Sequence, residues 1–306
     1  MKVLRVQKIF LFFTIFISLN SCFAQSRTIC GIKSLKDSKE VENILRHSPP
    51  QPLQRRIEFF SRYLLGRKYH PETKNRIRKQ KSKKAKKVEA NNEKPLDIEF
   101  LGTSMQFLDC MTYVEHVLAL ANCKTASYEE FLNRLIDIMF DANGKKLQNH
   151  LRNHFTSHWA DVNERKGYLA NIARKHSLAK VRYLFLNRVK GNRTFYVEDR
   201  FMISKEPQQL WYFPREVILN KKFVPDSGDV IAMVTEKEGL DVTHMAFYIT
   251  HRKMSILRHA SYRLNKIVDQ DFYDYLKGAD HVAGLMVLRP VQQRKELPLY
   301  DFRLVK

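Results

Sequence analysis

Cys110 follows Asp109 at the start of a segment, Leu108 to Ala121, in which Val114, Val117, Leu118 and Leu120 recur at helical spacing. A cysteine in that place meets unpaired backbone N–H groups and the positive end of a helix, which favour the thiolate over the thiol. A thiolate attacks an acyl carbon when a base within reach can take and return a proton. Two histidines qualify by type. His244 stands at the head of the β-rich run Asp241-Val242-Thr243-His244-Met245-Ala246-Phe247-Tyr248-Ile249, and His259 lies within the next, Leu257-Arg258-His259-Ala260-Ser261. A cysteine, a histidine and a third polar group that orients the imidazole together hydrolyse amides or esters. A lone cysteine on an apolar helix also reads as a buried small residue, so it is the pair of histidines that gives it chemistry.

A second pattern competes. His150, His154 and His158 recur every four residues and could share one helix face as zinc ligands. The intervals hold Leu151, Arg152, Asn153, Phe155, Thr156 and Ser157, without the carboxylate of an H-E-x-x-H motif. Trp211, Tyr212 and Phe213 before Pro214 either line a groove or pack beneath a loop. His116 and His281 read as ordinary surface or core residues.

The positioning elements follow from periodicity. Ser38 to Arg46 is weakly helical, and Pro49, Pro50 and Pro52 interrupt before Leu53, Ile57, Phe60 and Leu64 mark a better helix with Gly66 as its stop. Ser127 and Glu130 form a capping-box pattern ahead of Phe131, Leu132, Leu135, Ile136 and Met139, a helix predicted to run to Asn143-Gly144. The period then changes. Thr194 to Val197, Asp229 to Thr235, Met245 to Thr250, Ser255 to His259 and Leu285 to Leu288 are short β-rich runs, punctuated by Asp226-Ser227-Gly228 and Glu238-Gly239. Helices first and an antiparallel sheet afterwards predict one α+β domain.

The 306 residues carry a net charge of +22, a pI near 9.8 and 44% hydrophobic residues, enough for a sizeable core inside a positive field. Much of the charge lies between Arg67 and Lys94, which has almost no large apolar side chain and reads as a solvated loop inserted in the fold. The chain opens with Lys2, Arg5 and Lys8, an apolar run from Ile9 to Leu19, and Ser21, Cys22 and Ala24. That is the pattern of an export signal, too short for a comfortable span of about 20 residues. Cleavage after Ala24 gives a soluble product, whereas Leu19-Asn20-Ser21-Cys22 resembles a lipobox that leaves a lipidated Cys22. The expected organisation is a signal peptide over 1–24, a helical extension over 25–95 holding the basic loop, and a hydrolase domain over 96–306. Cys30, Cys110 and Cys123 then form an odd set in an oxidising compartment, with Cys110 kept out of disulfides and Cys30 and Cys123 either paired or buried. Sparse aromatics in the basic loop and the export signal argue against nucleic acid and for an anionic envelope surface. An inert exported protein that only binds such a surface is the non-enzymatic alternative.

Gly228-Asp229, Thr243-His244-Met245-Ala246 and His259-Ala260 resemble the G-D, T-H-V-G and H-A elements of NlpC-type papain-like cell-wall peptidases, in the order Cys, His, His. Leu108-Asp109-Cys110-Met111-Thr112-Tyr113-Val114-Glu115 is closer still to the D-C-T-T-F-V-E motif of their N-acetylmuramoyl-L-alanine amidase-like branch. Asn153-His154-Phe155-Thr156-Ser157-His158-Trp159 is similar to that branch's aromatic segment. The resemblance runs from about Leu96 to Pro290. It implies a papain-like fold, Cys110 as nucleophile, His244 as base and His259 as the residue that orients it. It also implies a substrate site bordered by Asp109, Thr112, His154, Phe155, Trp159, Asp241 and Ser261. The implied reaction is hydrolysis of the amide joining (anhydro-)muramic acid to the L-alanine of peptidoglycan fragments, by a monomer needing no metal or other cofactor. Met111 and Met245-Ala246 depart from the motifs, and the longer interval from His244 to His259 implies a wider hairpin.

Overall fold

The computed structural model describes residues 35–50, 52–70, 77–79, 99–101, 104–141, 152–187 and 206–298. The export signal with Cys22, as well as Cys30, His150, Asn143-Gly144, Thr194 to Val197 and most of the Arg67 to Lys94 stretch, lie outside the described residues.

Helices come early: α1 (Leu35–Arg46), α2 (Leu53–Tyr63), α3 (Cys110–Asn122), α4 (Tyr128–Met139) and α5 (Thr156–Lys166). Among them run short strands β1 (Lys68–Tyr69), β2 (Ile77–Lys79), β3 (Glu99–Leu101) and β4 (Phe107–Leu108). Then follow β5 (Leu169–Asn171), β6 (Lys180–Leu184), β7 (Gln208–Pro214), α6 (Arg215–Leu219), β8 (Val230–Val234) and β9 (Val242–His251). β10 (Met254–Ser261), β11 (Lys266–Asp271), α7 (Phe272–Lys277) and β12 (Gly284–Pro290) complete the order.

Ten strands form one sheet in the order β4-β1-β11-β10-β9-β8-β12-β7-β6, with β5 paired to β12. Every pairing is antiparallel except β1 with β4. The stretch read as a solvated loop holds strand β1 at its start and, in Ile77–Lys79, a strand paired with β3. Backbone pairing there needs no apolar side chains, so composition does not announce it.

Both faces of the sheet are covered, and strand alternation sorts the side chains. Met245, Phe247 and Ile249 of β9 enter a core with α1 to α5, while Ala246 and Tyr248 enter a second core with α6 and α7. The whole of β8 is buried, as expected of a strand covered on both sides. Val41, Ile44, Leu53, Ile57 and Phe60, from the segment read as an extension, belong to the first core beside Val114, Val117 and Leu118. The expected boundary at residue 96 therefore has no counterpart in the packing. No helix among the described residues is long and apolar enough to cross a membrane.

The β9–β10 hairpin is tight and not wide. His251 pairs with Met254, leaving Arg252 and Lys253 as a two-residue turn with φ of 46° and 67°, the backbone of a type I′ hairpin. The long interval between the two histidines is taken up by strand length.

Candidate active site

Asp109 makes the first turn of α3. Its Oδ1 accepts the Thr112 N–H at 2.8 Å and the Thr112 hydroxyl at 2.8 Å, while Thr112 Oγ1 accepts the Asp109 N–H at 2.9 Å. This reciprocal cap satisfies two orphan amides and sets Cys110 as the first helical residue, half-buried beside the first core. Asp109 Oδ2 is buried and has no hydrogen-bond partner among the described residues.

The far end of α3 is held as firmly. The Arg56 guanidinium of α2 donates to the carbonyls of Leu120, Ala121 and Cys123, placing a cation on the negative end of the helix. On the flank, Glu115 is wholly buried and pairs with Arg152 at 2.8 Å. Tyr113 packs edge-on against Phe247 of β9 at 5.7 Å and donates its hydroxyl to the Ser61 carbonyl of α2. α3 is thereby seated on β9 and β10, the strands that carry the two histidines.

Extending the register of the Arg258–Phe247 pair puts His244 and His259 diagonally on one face of those strands. His244 Nε2 lies 2.7 Å from His259 Nδ1, and His259 Nε2 lies 2.8 Å from Oε1 of Gln270 on β11. The amide oxygen of Gln270 only accepts, so His259 carries its proton on Nε2 and its Nδ1 accepts from His244 Nε2–H. His244 Nδ1 is then the nitrogen left with a lone pair. Burial, and then the neighbouring His259, push the His244 pKa down to about 3. Burial also lowers that of His259, against the opposing pull of Gln270 and Asp269.

Tyr275 of α7 packs on both imidazoles of this chain. Its ring lies 5.2 Å from His259, edge-on, and 6.3 Å from His244, stacked. Burial raises its phenol pKa, and the nearby Cys110 raises it further. Tyr69 of β1 is raised by burial, then by Cys110 and Asp109, and meets Tyr262 edge-on at 5.6 Å. The Cys110 thiol thus acts on Tyr275, which packs on the two linked imidazoles, and on Tyr69.

Residues 60–284 match the family model described as AmiA-like, N-acetylmuramoyl-L-alanine amidase-like. The chain belongs to that family. No curated protein matches its sequence. Among solved structures, a Legionella pneumophila protein superposes with a TM-score of 0.65 at 20% identity, covering 86% of this chain and 97% of that one. An N-acetylmuramoyl-L-alanine amidase from Bacteroides uniformis superposes with a TM-score of 0.58 at 20% identity, covering 78% of this chain and 99% of that one. At such identities the likeness is one of fold.

In this amidase-like family member, the residues of the cysteine motif divide by task. Asp109 and Thr112 build the helix start, and Glu115 anchors Arg152, whose guanidinium also donates to the Met139 and Asn153 carbonyls. Thr112 is 1% exposed with its hydroxyl spent on the cap, so it is not presented to substrate. Gly228, at φ +93°, and Asp229 form a turn locked by Arg289 of β12, which meets both Asp229 oxygens at 3.0 Å.

Several expected substrate contacts prove to be internal. Trp159 is 0% exposed and Phe155 is 5% exposed, both within the first core; their large apolar area goes to packing. Asp241 is buried, and its Oδ2 accepts both the N–H and the hydroxyl of Ser157 at the start of α5, while its Oδ1 accepts the Val242 N–H. It joins β9 to α5. Ser261 is buried and accepts the Leu264 N–H in the turn after β10. Of the aromatic segment, only His154 keeps partial exposure near α5 among the residues expected to line a substrate.

His154 and His158 do not share a helix face. α5 starts at Thr156, so His154 precedes it while the exposed His158 lies on it. Among the described residues no group of three His, Cys, Asp or Glu side chains could hold a metal ion. Cys110 and Cys123 are outside any disulfide, and Cys123 is buried with its thiol on the Ala119 carbonyl. Sequence reasoning gave Gln270 and Tyr275 no role. Gln270 lies two positions beyond Val268, the cross-strand partner of His259, so only knowledge of the β10–β11 register could have found it.

Proposed function

We propose that this chain is an exported cysteine hydrolase of papain-like, NlpC-type construction. Its substrate is the amide between (anhydro-)N-acetylmuramic acid and the L-alanine of peptidoglycan stem peptides. The observation that carries the reading is the hydrogen-bond chain His244–His259–Gln270, which leaves a lone pair on His244 Nδ1, on strands packed against the helix that Cys110 starts. Membership of the amidase-like family supports the bond class. The Bacteroides uniformis relative in fold carries the name of the same activity.

The chemistry balances as acyl transfer to sulfur and then to water. His244, with the lone pair on its Nδ1, takes the Cys110 proton as sulfur attacks the lactyl carbonyl. Backbone N–H groups at the start of α3 face the developing oxyanion. The tetrahedral intermediate collapses as the imidazolium returns its proton to the departing alanine nitrogen, leaving a thioester and a free peptide amine. Water, giving a proton to His244, then attacks the thioester; the carboxylic acid leaves and Cys110 recovers its proton. The reading puts the reaction in the periplasm, on a soluble protein or one anchored through Cys22, with the basic stretch from Arg67 to Lys94 drawing it to anionic envelope surfaces; the apolar run Ile9 to Leu19 behind Lys2, Arg5 and Lys8 supports the export.

Mass spectrometry of a muropeptide digest tests the reading. The wild-type protein is expected to add water at the lactyl–alanine amide. Cys110→Ala and His244→Ala should each abolish that cleavage while keeping the native circular dichroism spectrum. Turnover retained by Cys110→Ala, or cleavage at a peptide bond within the stem, overturns it.

A further inference from the structure

We infer that Gln270 is a positioning residue that selects the tautomer of both imidazoles and so decides which nitrogen of His244 is basic. The inference rests on the cysteine-hydrolase reading for its consequence in turnover, and on geometry alone for the tautomer. Three side chains on three adjacent strands, β9, β10 and β11, form an unbranched chain with contacts of 2.7 and 2.8 Å. Two neutral imidazoles in series have two self-consistent proton arrangements, one the mirror of the other. In the first, protons sit on both Nε2 atoms and His244 Nδ1 is a base. In the second they sit on both Nδ1 atoms, and His244 presents an N–H in place of a lone pair. Nothing within the histidine pair distinguishes the two, so the terminal partner decides. Gln270 presents its carbonyl oxygen to His259 Nε2 and selects the first.

A neutral amide has a further consequence at this position. A carboxylate in its place would hold His259 as an imidazolium, whose Nδ1–H would donate to His244 Nε2 and force the proton of His244 onto Nδ1. The other groups around the pair do not supply that charge directly. Asp269, next to Gln270 on β11, is engaged by Arg258 at 2.7 Å. α7 contributes Tyr275, with Arg263 and Cys110 nearby in its field, and β1 contributes Tyr69 beside Cys110 and Asp109. An amide therefore keeps both rings neutral and, with its oxygen turned to His259 Nε2, their protons aligned.

Side-chain ¹⁵N NMR of the Cys110→Ala protein at neutral pH tests the tautomer without any turnover. The expected spectrum has His244 and His259 each protonated on Nε2 alone. In Gln270→Glu, His259 should gain a second proton and His244 should move its proton to Nδ1; in Gln270→Met, neither tautomer should remain uniform. On a muropeptide, Gln270→Met should lower kcat by about 10- to 100-fold with KM within about twofold. Gln270→Glu should shift the acid limb of the pH profile upward by about one unit or more. His244 protonated on Nδ1 with Gln270 intact, or tautomers indifferent to both substitutions, overturns the inference. So does a loss of turnover that is equal at every pH in both variants. If the wild-type protein cleaves no muropeptide, the amidase reading falls while the NMR measurement still decides the role of Gln270.

Discussion

Glu115 and Arg152 form an ion pair buried between the helix that begins with Cys110 and the segment leading into α5. The Arg152 Nη2 donates to Glu115 Oε2 at 2.8 Å, and neither side chain is more than 6% exposed. The pair ties the sixth residue of α3 to a point 37 positions later in the chain. It fixes the rotation of the helix and with it the direction of its first turn.

Removing one partner leaves the other charge buried alone. Arg152→Met and Glu115→Leu should each lower the unfolding free energy by about 3 to 5 kcal/mol, and the double variant by clearly less than the sum of the two. Urea denaturation of the four proteins closes the cycle. Additive losses would mean the two residues contribute independently.

His116, one residue further along, predicts a pH dependence. Its Nδ1–H donates to the Thr112 carbonyl at 2.7 Å, and burial pushes its pKa down to about 4. The unfolded chain takes up a proton near pH 6.5 that the folded protein refuses until about pH 4, so stability is present above pH 6.5 and lost as pH falls through that window. Glu115 acts oppositely: burial, against Arg152, pushes its carboxyl up to about 7, so its share is present at low pH and lost as pH rises toward 7. Comparison with His116→Leu isolates the histidine. The stability of the wild type relative to the variant should fall by on the order of 3 kcal/mol between pH 7 and pH 4. A constant difference would show that His116 takes up its proton in the fold as readily as in the unfolded chain.

Gly284 predicts a steric limit. A Cβ there would stand 2.2 Å from the Phe213 carbonyl oxygen and 2.5 Å from the Tyr212 ring, where β12 meets β7. Gly284→Ala should cost more than about 3 kcal/mol, read as a lower thermal midpoint or loss of folded protein. Unchanged stability would mean that β7 shifts at little cost.

Thiol reactivity should separate the two described cysteines. Cys110 is half-buried, whereas Cys123 is buried with its pKa raised by that burial. Iodoacetamide should modify Cys110 in the native protein and Cys123 only in denaturant, as peptide mapping would read. Native labelling of Cys123 with Cys110 spared would reverse the assignment of the reactive thiol.

What the chain determines locally could be read from it directly. The start of α3 at Asp109-Cys110, the helix through Ile57 and Phe60, and the strands around His244 and His259 follow from hydrogen bonds and burial periods within a few residues. The Ser127 pattern was legible only in half: its hydroxyl caps the Glu130 N–H, but Glu130 turns to the Lys124 and Thr125 amides and to Arg134. Everything that depends on register or on contact across long intervals was decided by the tertiary structure. Asp241 reaches Ser157 across 84 positions, Trp159 is drawn wholly inside, and Gln270 meets His259 only because β10 and β11 pair as they do. Periodicity says which face of an element is buried. It does not say which polar side chain of a distant element will stand opposite, since a slip of one residue would turn Gln270 to the other face of the sheet.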